Sequence, residues 1–207
     1  MRDESPETAR QREVWERAAP QYDRAMSRYE RGFLADSREW IGSRARGRVL
    51  EVAIGTGRSL GFYGPGIQVV GVDLAPAMLD VARSRAAELG IDVELIEGDA
   101  ERLPFDDASF DTVVSELALC SVPNPAQAIK EMARVLRPGG SLLLLDHVGS
   151  TWPPIYALQW LVERITIRTA GEHFTRRQLP LVEAAGLTVV EQERLKVGAV
   201  ERLRATR

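Results

Sequence analysis

The feature that most constrains the fold is an apolar run that breaks into a glycine-bearing turn. Residues 49–57 read V-L-E-V-A-I-G-T-G, and a second apolar run ends at Asp73, about 20 positions after Glu51. A strand that ends in a glycine turn lets backbone N–H groups approach a ligand closely. A carboxylate that closes the next strand can accept hydrogen bonds from both hydroxyls of a ribose. The pair therefore predicts a site for a nucleoside-containing cofactor.

Strand-like and helical segments alternate along most of the chain. The predicted strands are Arg48–Ala53, Gln68–Asp73, Val93–Ile96, Asp111–Ser115 and Ser141–Asp146. Pro76 and Gly90 mark the start and the end of one intervening helix. Asn124 caps another helix, which is predicted to stop at Pro138-Gly139-Gly140. The alternation predicts an α/β fold in which helices cover both faces of a parallel sheet.

The two ends of the chain depart from this alternation. Residues 1–47 are charge-rich and predict two amphipathic cap helices that separate near Pro20. Two further strands are predicted at Gly186–Glu193 and Val197–Ala205. The turn between them is too short for a parallel crossover, so they are expected to form an antiparallel hairpin. Residues 1–207 are interpreted as a single domain.

Composition argues against several classes of function. The 207 residues carry a net charge of −3, and no basic stripe or appended recognition domain indicates nucleic-acid binding. Cys120 is the only cysteine, which excludes an internal disulfide and a cysteine-cluster metal site; no metal is predicted. The chain has neither an apolar signal core nor the run of ~20 apolar residues that a membrane span needs. A cytoplasmic location is expected.

Five segments, in this order, carry a resemblance to a known family: E-V-A-I-G-T-G (51–57), G-V-D-L-A-P-A-M-L (71–79), G-D-A-E-R-L-P-F (98–105), S-F-D-T-V-V (109–114) and R-V-L-R-P-G-G (134–140). With them the chain resembles the class I S-adenosylmethionine-dependent methyltransferases, specifically the ubiquinone/menaquinone C-methyltransferase-like branch. That branch also contains phosphatidylethanolamine N-methyltransferases and small thiol S-methyltransferases. The resemblance covers nearly all of the chain. It implies a single methyltransferase domain with a Rossmann-like fold, a doubly wound and mostly parallel seven-stranded sheet, and S-adenosyl-L-methionine as cofactor.

The resemblance also implies roles for individual residues. Gly55 and Gly57 would pass beneath the methionine part of the cofactor, and Asp73 would bind the ribose. Asp99 and Ala100 would lie at the edge of the adenine ring. The predicted cofactor-binding residues are Tyr22, Glu51, Ala53, Gly55, Thr56, Gly57, Asp73, Leu74, Met78, Asp99, Ala100, Ser115 and Glu116.

Ala53 is the one irregular position in the glycine turn, because related proteins usually have glycine there. A methyl group is tolerable at this position if the local φ is negative, but it restricts how closely the cofactor can pack. Weaker or slightly displaced cofactor binding is therefore expected rather than a loss of binding.

The methyl acceptor is less constrained by the sequence. His147 follows the fifth strand, and His173 lies in the segment expected to cover the acceptor. Either is a candidate catalytic base or orienting group, or a histidine with a structural role only. Glu116 could hold an amine acceptor or cap the next helix. Large apolar residues fill an insert at 147–180, interpreted as an acceptor lid, and favour a small apolar or aromatic acceptor over nucleic acid.

Several alternatives remain open at this point. Leu119–Val122 and His147–Val148 match segments of the similar thiol methyltransferases, although Cys120 itself is interpreted as a buried apolar residue. A phospholipid headgroup N-methyltransferase would contact a membrane peripherally, but acids interspersed among the N-terminal arginines dilute any basic face. A noncatalytic S-adenosylmethionine-binding protein is a further alternative. A nicotinamide-dependent oxidoreductase is disfavoured because G-x-G-x-x-G is absent.

Overall fold

Helices and strands account for most of the chain in the computed structural model, which describes residues 4–34 and 36–207. The strands are β1 (Arg48–Val52), β2 (Gln68–Asp73), β3 (Val93–Glu97), β4 (Phe110–Glu116), β5 (Leu136–His147), β6 (Thr188–Leu195) and β7 (Val200–Thr206). The helices are α1 (Pro6–Phe33), α2 (Ser37–Arg44), α3 (Pro76–Leu89), α4 (Pro125–Val135), α5 (Pro153–Thr169) and α6 (Leu179–Ala184), with a short 3-10 helix at Leu60–Phe62. None of the described helices is both long and apolar enough to cross a membrane.

The strands form one seven-stranded sheet in the order β3-β2-β1-β4-β5-β7-β6. Strands β1 to β5 pair in parallel, whereas β7 pairs antiparallel with both β5 and β6. This confirms the doubly wound, mostly parallel sheet and the antiparallel C-terminal hairpin. The strand order reverses between β1 and β4, and ligands of open α/β sheets bind at the carboxyl ends of the strands beside such a reversal.

Apolar side chains cover both faces of the central strands. Val49 and Leu50 are fully buried neighbours in β1, and they join core clusters on opposite faces of the sheet. On one face Leu50 belongs to the cluster that contains Ile129 and Met132 of α4, while on the other Val49 belongs to the cluster that contains Ile41 of α2. Burial on both faces explains why these strands read as continuous apolar runs.

The predicted ends of two helices are present in the structure. Pro76 begins α3, and Gly90 follows its last residue with φ +66°, a left-handed conformation that glycine adopts at low cost. The side chain of Asn124 accepts a hydrogen bond of 3.1 Å from the backbone N–H of Gln127 at the start of α4.

The predicted break near Pro20 is wrong, because α1 continues through this residue. Proline lacks an N–H group and crowds the preceding turn, so a break was the local expectation. Side chains on both sides of Pro20 pack on the body of the protein: Trp15 and Tyr22 contact a cluster that includes Met78 of α3. This packing outweighs the lost hydrogen bond.

The helix stop predicted at Pro138-Gly139-Gly140 falls slightly earlier in the structure. Helix α4 ends at Val135, and the L-R-P-G-G segment is the irregular start of β5. The register between β4 and β5 shifts within this segment. Gly139 has φ +79°, and its N–H donates to the carbonyl of Arg207 at 2.9 Å. A hydrogen bond to the distant C-terminus therefore supports backbone that the local pattern assigned to a turn.

Candidate active site

A first cavity, of about 690 Å³, lies at the carboxyl ends of β1 to β4 and beneath α1. The structure brings nine of the thirteen predicted cofactor-binding residues to its wall: Tyr22, Ala53, Gly55, Asp73, Leu74, Met78, Asp99, Ala100 and Glu116. They come from five separate segments of the chain and meet because parallel strands end at the same edge of the sheet.

The backbone holds the Asp73 carboxylate in the wall of the first cavity. One oxygen accepts a hydrogen bond of 2.8 Å from the N–H of Gly55, and the other accepts one of 2.9 Å from Ala75. Burial raises the pKa of Asp73 to about 6 in spite of these hydrogen bonds. Each carboxylate oxygen keeps a further lone pair that can accept a hydrogen bond from a ligand hydroxyl.

The backbone at Gly55 provides the space that a cofactor requires. Gly55 lines the first cavity with φ +57°, and a methyl group built on it would meet no protein atom within 4 Å. The open volume over Gly55 therefore lies on the ligand side of the turn. Together with the carboxylate of Asp73, it fits a nucleoside-containing cofactor such as the one that the sequence implies.

Four predicted residues lie behind the wall rather than in it: Glu51, Thr56, Gly57 and Ser115. The hydroxyl of Thr56 donates to Asp23 Oδ1 at 2.7 Å. Glu51 accepts a hydrogen bond of 2.7 Å from the hydroxyl of Tyr63, and burial raises the pKa of Glu51 to about 8. Both side chains are therefore engaged within the protein, and their contact with the cofactor stays a prediction.

Asp23 anchors α1 over the first cavity. It forms ion pairs with Arg58, at 3.2 Å, and with Arg85, in addition to its hydrogen bond with Thr56. Burial raises the pKa of Asp23, but the hydrogen bonds from Thr56 and Arg58 and the charge of Arg85 outweigh it, so the pKa is lowered. The neighbouring Tyr22 lines the cavity. Tyr22, one of the predicted cofactor-binding residues, thus lines the cavity, while Asp23 holds the helix in place.

The carboxylate of Glu116 is engaged within the protein. It accepts hydrogen bonds of 2.6 Å from Arg38 of α2 and of 2.6 Å from the hydroxyl of Ser59. The side chain is only 4% exposed. The sequence suggested either an amine partner or a helix cap for Glu116, whereas its partner in the structure is an arginine that no nearby motif indicates.

Ala53 has φ +57°, so the condition under which a methyl group is tolerable there is not met. A left-handed backbone costs a non-glycine residue about 1–2 kcal/mol. Ala53 also lines the first cavity, so this strain lies in the wall that the cofactor is expected to contact.

Replacing Ala53 with glycine is expected to increase the free energy of unfolding by about 0.5–1 kcal/mol, because relief of the strain exceeds the extra chain entropy of glycine. The affinity for S-adenosylhomocysteine should rise or stay constant. Urea denaturation and calorimetry measure the two quantities. Ala108→Gly is the matched control, because Ala108 has φ +53° outside the cavity. The Ala108→Gly protein should be stabilised to the same extent, with no change in its affinity for S-adenosylhomocysteine. An Ala53→Gly protein that is less stable than the wild type would contradict the strain assigned to Ala53.

A second cavity, of about 790 Å³, adjoins the first. Its lining residues are Trp15, Tyr22, Ala25, Met26, Leu117, His147, Glu172 and Phe174. Trp15, Tyr22 and Leu117 also line the first cavity, so the two cavities meet at these three side chains. Leu117 has φ +52°, and strained backbone of this kind often occurs at functional sites.

Of the two candidate histidines, only His147 reaches the second cavity. Its ring stacks on Phe174, with the ring centroids 4.5 Å apart, and burial lowers its pKa to about 4. The imidazole is therefore neutral at pH 7. His173 lies outside both cavities. Its side-chain Nδ1 is 3.5 Å from Glu163, and its backbone N–H donates to the carbonyl of Cys120 at 2.9 Å.

The insert at 147–180 contributes His147, Glu172 and Phe174 to the second cavity. The apolar residues of α5, predicted as a lid, line neither cavity and are largely exposed. Glu172 was not singled out by the sequence analysis. The sequence around Glu172 did not indicate that this side chain would line a cavity, because much of the cavity wall comes from the distant helix α1.

Cys120, Asp146 and His147 form a buried cluster beside the second cavity, which His147 itself lines. One ligating atom of each lies within 4.8 Å of the others, an arrangement that could hold a metal ion. Among the described residues, Asp146 Oδ1 and His147 Nδ1 have no hydrogen-bond partner. Cys120 is 2% exposed, in agreement with its interpretation as a buried residue.

Comparison with known proteins agrees with this geometry. A family model described as a methyltransferase domain matches residues 50–144. The chain is 36% identical over 156 residues to a phosphatidylethanolamine N-methyltransferase of Cereibacter sphaeroides, over 74% of this chain and 76% of that protein. It is 38% identical to a demethylmenaquinone methyltransferase of Deinococcus radiodurans, over 65% of this chain and 58% of that protein.

Solved structures share the fold. A SAM-dependent methyltransferase of Thermotoga maritima, described as a possible histamine N-methyltransferase, superposes with a TM-score of 0.74. The match covers 95% of this chain and 99% of that chain at 24% identity, a likeness that shows the fold alone.

The fold and the first cavity define an α/β protein with a nucleoside-cofactor site at the reversal of strand order. With the similarity to these relatives, the chain belongs to the S-adenosylmethionine-dependent methyltransferases. It is an enzyme of this class, and S-adenosylmethionine is its cofactor. The residues that would hold the cofactor are those of the first cavity.

Proposed function

We propose that this enzyme methylates a small acceptor with an apolar or aromatic body, and that the acceptor binds in the second cavity. The observation that carries the proposal is the shared wall of the two cavities at Trp15, Tyr22 and Leu117. An acceptor in the second cavity would reach the cofactor without crossing bulk water. Most side chains that line this cavity are apolar or aromatic, which favours an acceptor body of the same kind.

S-adenosylmethionine supplies a methyl carbon that the acceptor's lone pair attacks, while the electrons of the carbon–sulfur bond remain on sulfur. The protein contributes positioning and the exclusion of water. The carboxylate of Asp73 and the backbone at Gly55 would hold the nucleoside end, and α1 contributes side chains to the walls of both cavities. Trp15 and Tyr22 form an edge-to-face pair over the junction, with ring centroids 6.0 Å apart.

The two histidines are proposed to differ in role. His147 would orient the acceptor, because it lines the second cavity as a neutral imidazole, whereas His173 would fix the loop that follows α5. His147→Ala is expected to lower kcat/KM about 10-fold or more, and His173→Ala is the matched substitution expected to change it about 3-fold or less. Steady-state kinetics of the two variants with the same acceptor measure these changes in kcat/KM. Equal effects of the two substitutions would contradict this division.

The test of the proposed function is a methyl-transfer screen. The purified enzyme is supplied with S-adenosylmethionine and with thiols, phenols, amines and quinols that share an apolar body. Release of S-adenosylhomocysteine and the mass of the product are measured. Turnover of acceptors with an apolar body supports the proposal. Tight cofactor binding without methylation of any class would contradict it and favour a noncatalytic binding protein.

A phospholipid headgroup is a second candidate acceptor, and one face of α5 favours it. Leu158, Leu161 and Ile165 lie at helical spacing and are 56%, 56% and 65% exposed, so they form an apolar stripe that faces away from the protein. Arg164 and Arg168 are exposed on the same helix. An apolar stripe with arginine neighbours suits the interface of an anionic bilayer.

Sedimentation with vesicles tests this second candidate. We expect the protein to bind phosphatidylcholine vesicles that contain phosphatidylglycerol, and Leu161→Glu to abolish binding. Val190→Glu is the matched control, since Val190 is 49% exposed but lies on β6. Failure of the unmodified protein to bind these vesicles would remove the phospholipid candidate and leave the small-molecule proposal intact.

A further inference from the structure

Glu172 is the only carboxylate among the described residues that line the second cavity. Of the hydrogen bonds and ion pairs among described residues, none involves this carboxylate. The side chain is half-buried, and burial raises its pKa. A partly desolvated carboxylate without a cationic partner reduces the stability of the protein, and a cationic ligand would supply the missing interaction.

The loop that carries Glu172 is held in place by three elements of the fold. The hydroxyl of Thr166 in α5 donates to the carbonyl of Glu172 at 2.9 Å. The side chain of Gln11 in α1 donates to the carbonyl of Ala170 at 3.0 Å. The next residue, His173, donates its N–H to the carbonyl of Cys120 at 2.9 Å. The position of Glu172 is therefore fixed before any acceptor binds, which lowers the entropic cost of binding.

Aromatic rings line the same cavity. Trp15 and Tyr22 come from α1, and Phe174, stacked on His147, follows Glu172 in the chain. The faces of such rings attract cations, and an aromatic wall with a carboxylate is the arrangement by which proteins bind ammonium groups.

We propose that the second cavity recognises the acceptor as an amine, whose ammonium form pairs with Glu172 while the aromatic walls hold the rest of the molecule. The inference rests on the proposed function and names the nucleophile, which that function leaves open. It also explains how the cavity would select among acceptors, because Glu172 attracts a cationic acceptor and repels an anionic one.

Charge separates an amine from the other nucleophiles. A thiol or a phenol reacts as its anion, and an anion beside Glu172 would place two negative charges in one partly desolvated cavity. An amine binds as a cation and reacts as a neutral group, so neither form is repelled. The Leu119–Val122 segment, which is similar to that of thiol methyltransferases, contributes Ser121 and Val122 to the first cavity and not to the second.

A primary amine binds in its ammonium form. The bound ammonium transfers one proton to the carboxylate of Glu172, which frees the nitrogen lone pair. The nitrogen then forms the new bond to the methyl carbon while the carbon–sulfur bond breaks toward sulfur. The product is a methylated ammonium, and Glu172 returns its proton to solvent as the product leaves.

Three probes with the same body and different polar ends test the inference: phenethylamine, phenethyl thiol and phenethyl alcohol. Calorimetry measures their binding to enzyme saturated with S-adenosylhomocysteine. We expect phenethylamine to bind about 10-fold or more tightly than either neutral probe. Glu172→Gln should remove this preference while the affinity for S-adenosylhomocysteine changes about 2-fold or less. Glu183→Gln is the matched control, because Glu183 is exposed on α6 and lines neither cavity.

Equal binding of the three probes, binding of none at millimolar concentration, or a preference for phenethylamine that survives in Glu172→Gln would each overturn the inference. Failure of the proposed function looks different, since no acceptor of any class would then be methylated. Methylation of thiols or phenols but not of amines would contradict the inference and leave the proposed function standing.

Discussion

Replacing Asp73 with asparagine is expected to weaken the binding of S-adenosylhomocysteine about 100-fold. A hydrogen bond to a charged group is worth about 1.5–3 kcal/mol, and the carboxylate of Asp73 is predicted to accept hydrogen bonds from both ribose hydroxyls. Its two oxygens already accept from Gly55 and Ala75. An amide nitrogen in place of one oxygen would face an N–H donor, so the turn itself should also shift. Calorimetric titration measures the loss.

The pH dependence of binding gives Asp73 a second readout. Because burial raises its pKa to about 6, a growing fraction of Asp73 is protonated as the pH falls through 6. Affinity should decrease in that range for the wild type and stay flat for Asp73→Asn. Asp80→Asn is the control, since this aspartate is 73% exposed on α3. An affinity of Asp73→Asn within about 3-fold of wild type would contradict the assigned role.

Replacing Trp15 with alanine is expected to lower kcat/KM about 100-fold and the affinity for S-adenosylhomocysteine about 10-fold. Trp15 lines both cavities and pairs edge to face with Tyr22. Removing its ring would admit water at the junction and loosen both ligands, and small misplacements of reacting groups cost about this much in rate. Steady-state kinetics and calorimetry measure the two effects.

Arg17→Ala is the control for Trp15→Ala, because Arg17 lies on the same helix with a side chain that is 74% exposed. Circular dichroism of both variants shows whether α1 remains folded. A Trp15→Ala enzyme with kcat/KM within about 3-fold of wild type would show that α1 does not form the wall between the two sites.

The cofactor half of the site could be predicted from sequence because its signals are local. Each segment consists of a strand whose end, or the turn directly after it, lines the first cavity, as at Gly55, Asp73 and Asp99. Parallel strands of a doubly wound sheet end at the same edge, so the residues that follow each predicted strand are expected to lie together there. The residues that lie behind the wall, such as Glu51 and Thr56, could not be separated from lining residues, because the direction of a side chain in a turn depends on packing.

The acceptor half could not be predicted in this way. His147 was a candidate because it ends a strand, whereas Trp15, Leu117 and Glu172 are far apart in sequence and meet only in the folded protein. No sequence periodicity connects these residues. The large apolar residues of the insert predicted a lid at α5, which lines neither cavity. The break expected at Pro20 had the same cause, since long-range packing of Trp15 and Tyr22 outweighed a local preference.

The sequence by itself determined the α/β class, the parallel pairing of the central strands and a site for a nucleoside-containing cofactor, because strand patterning, glycine turns and strand-end carboxylates act over a few neighbouring residues. Its resemblance to a known family implied which cofactor this is. The tertiary structure decided the positive φ of Ala53, the pairing of Glu116 with Arg38 and the cavity around Glu172. These depend on which distant surfaces pack together, and packing is a property of the whole fold that no short segment encodes.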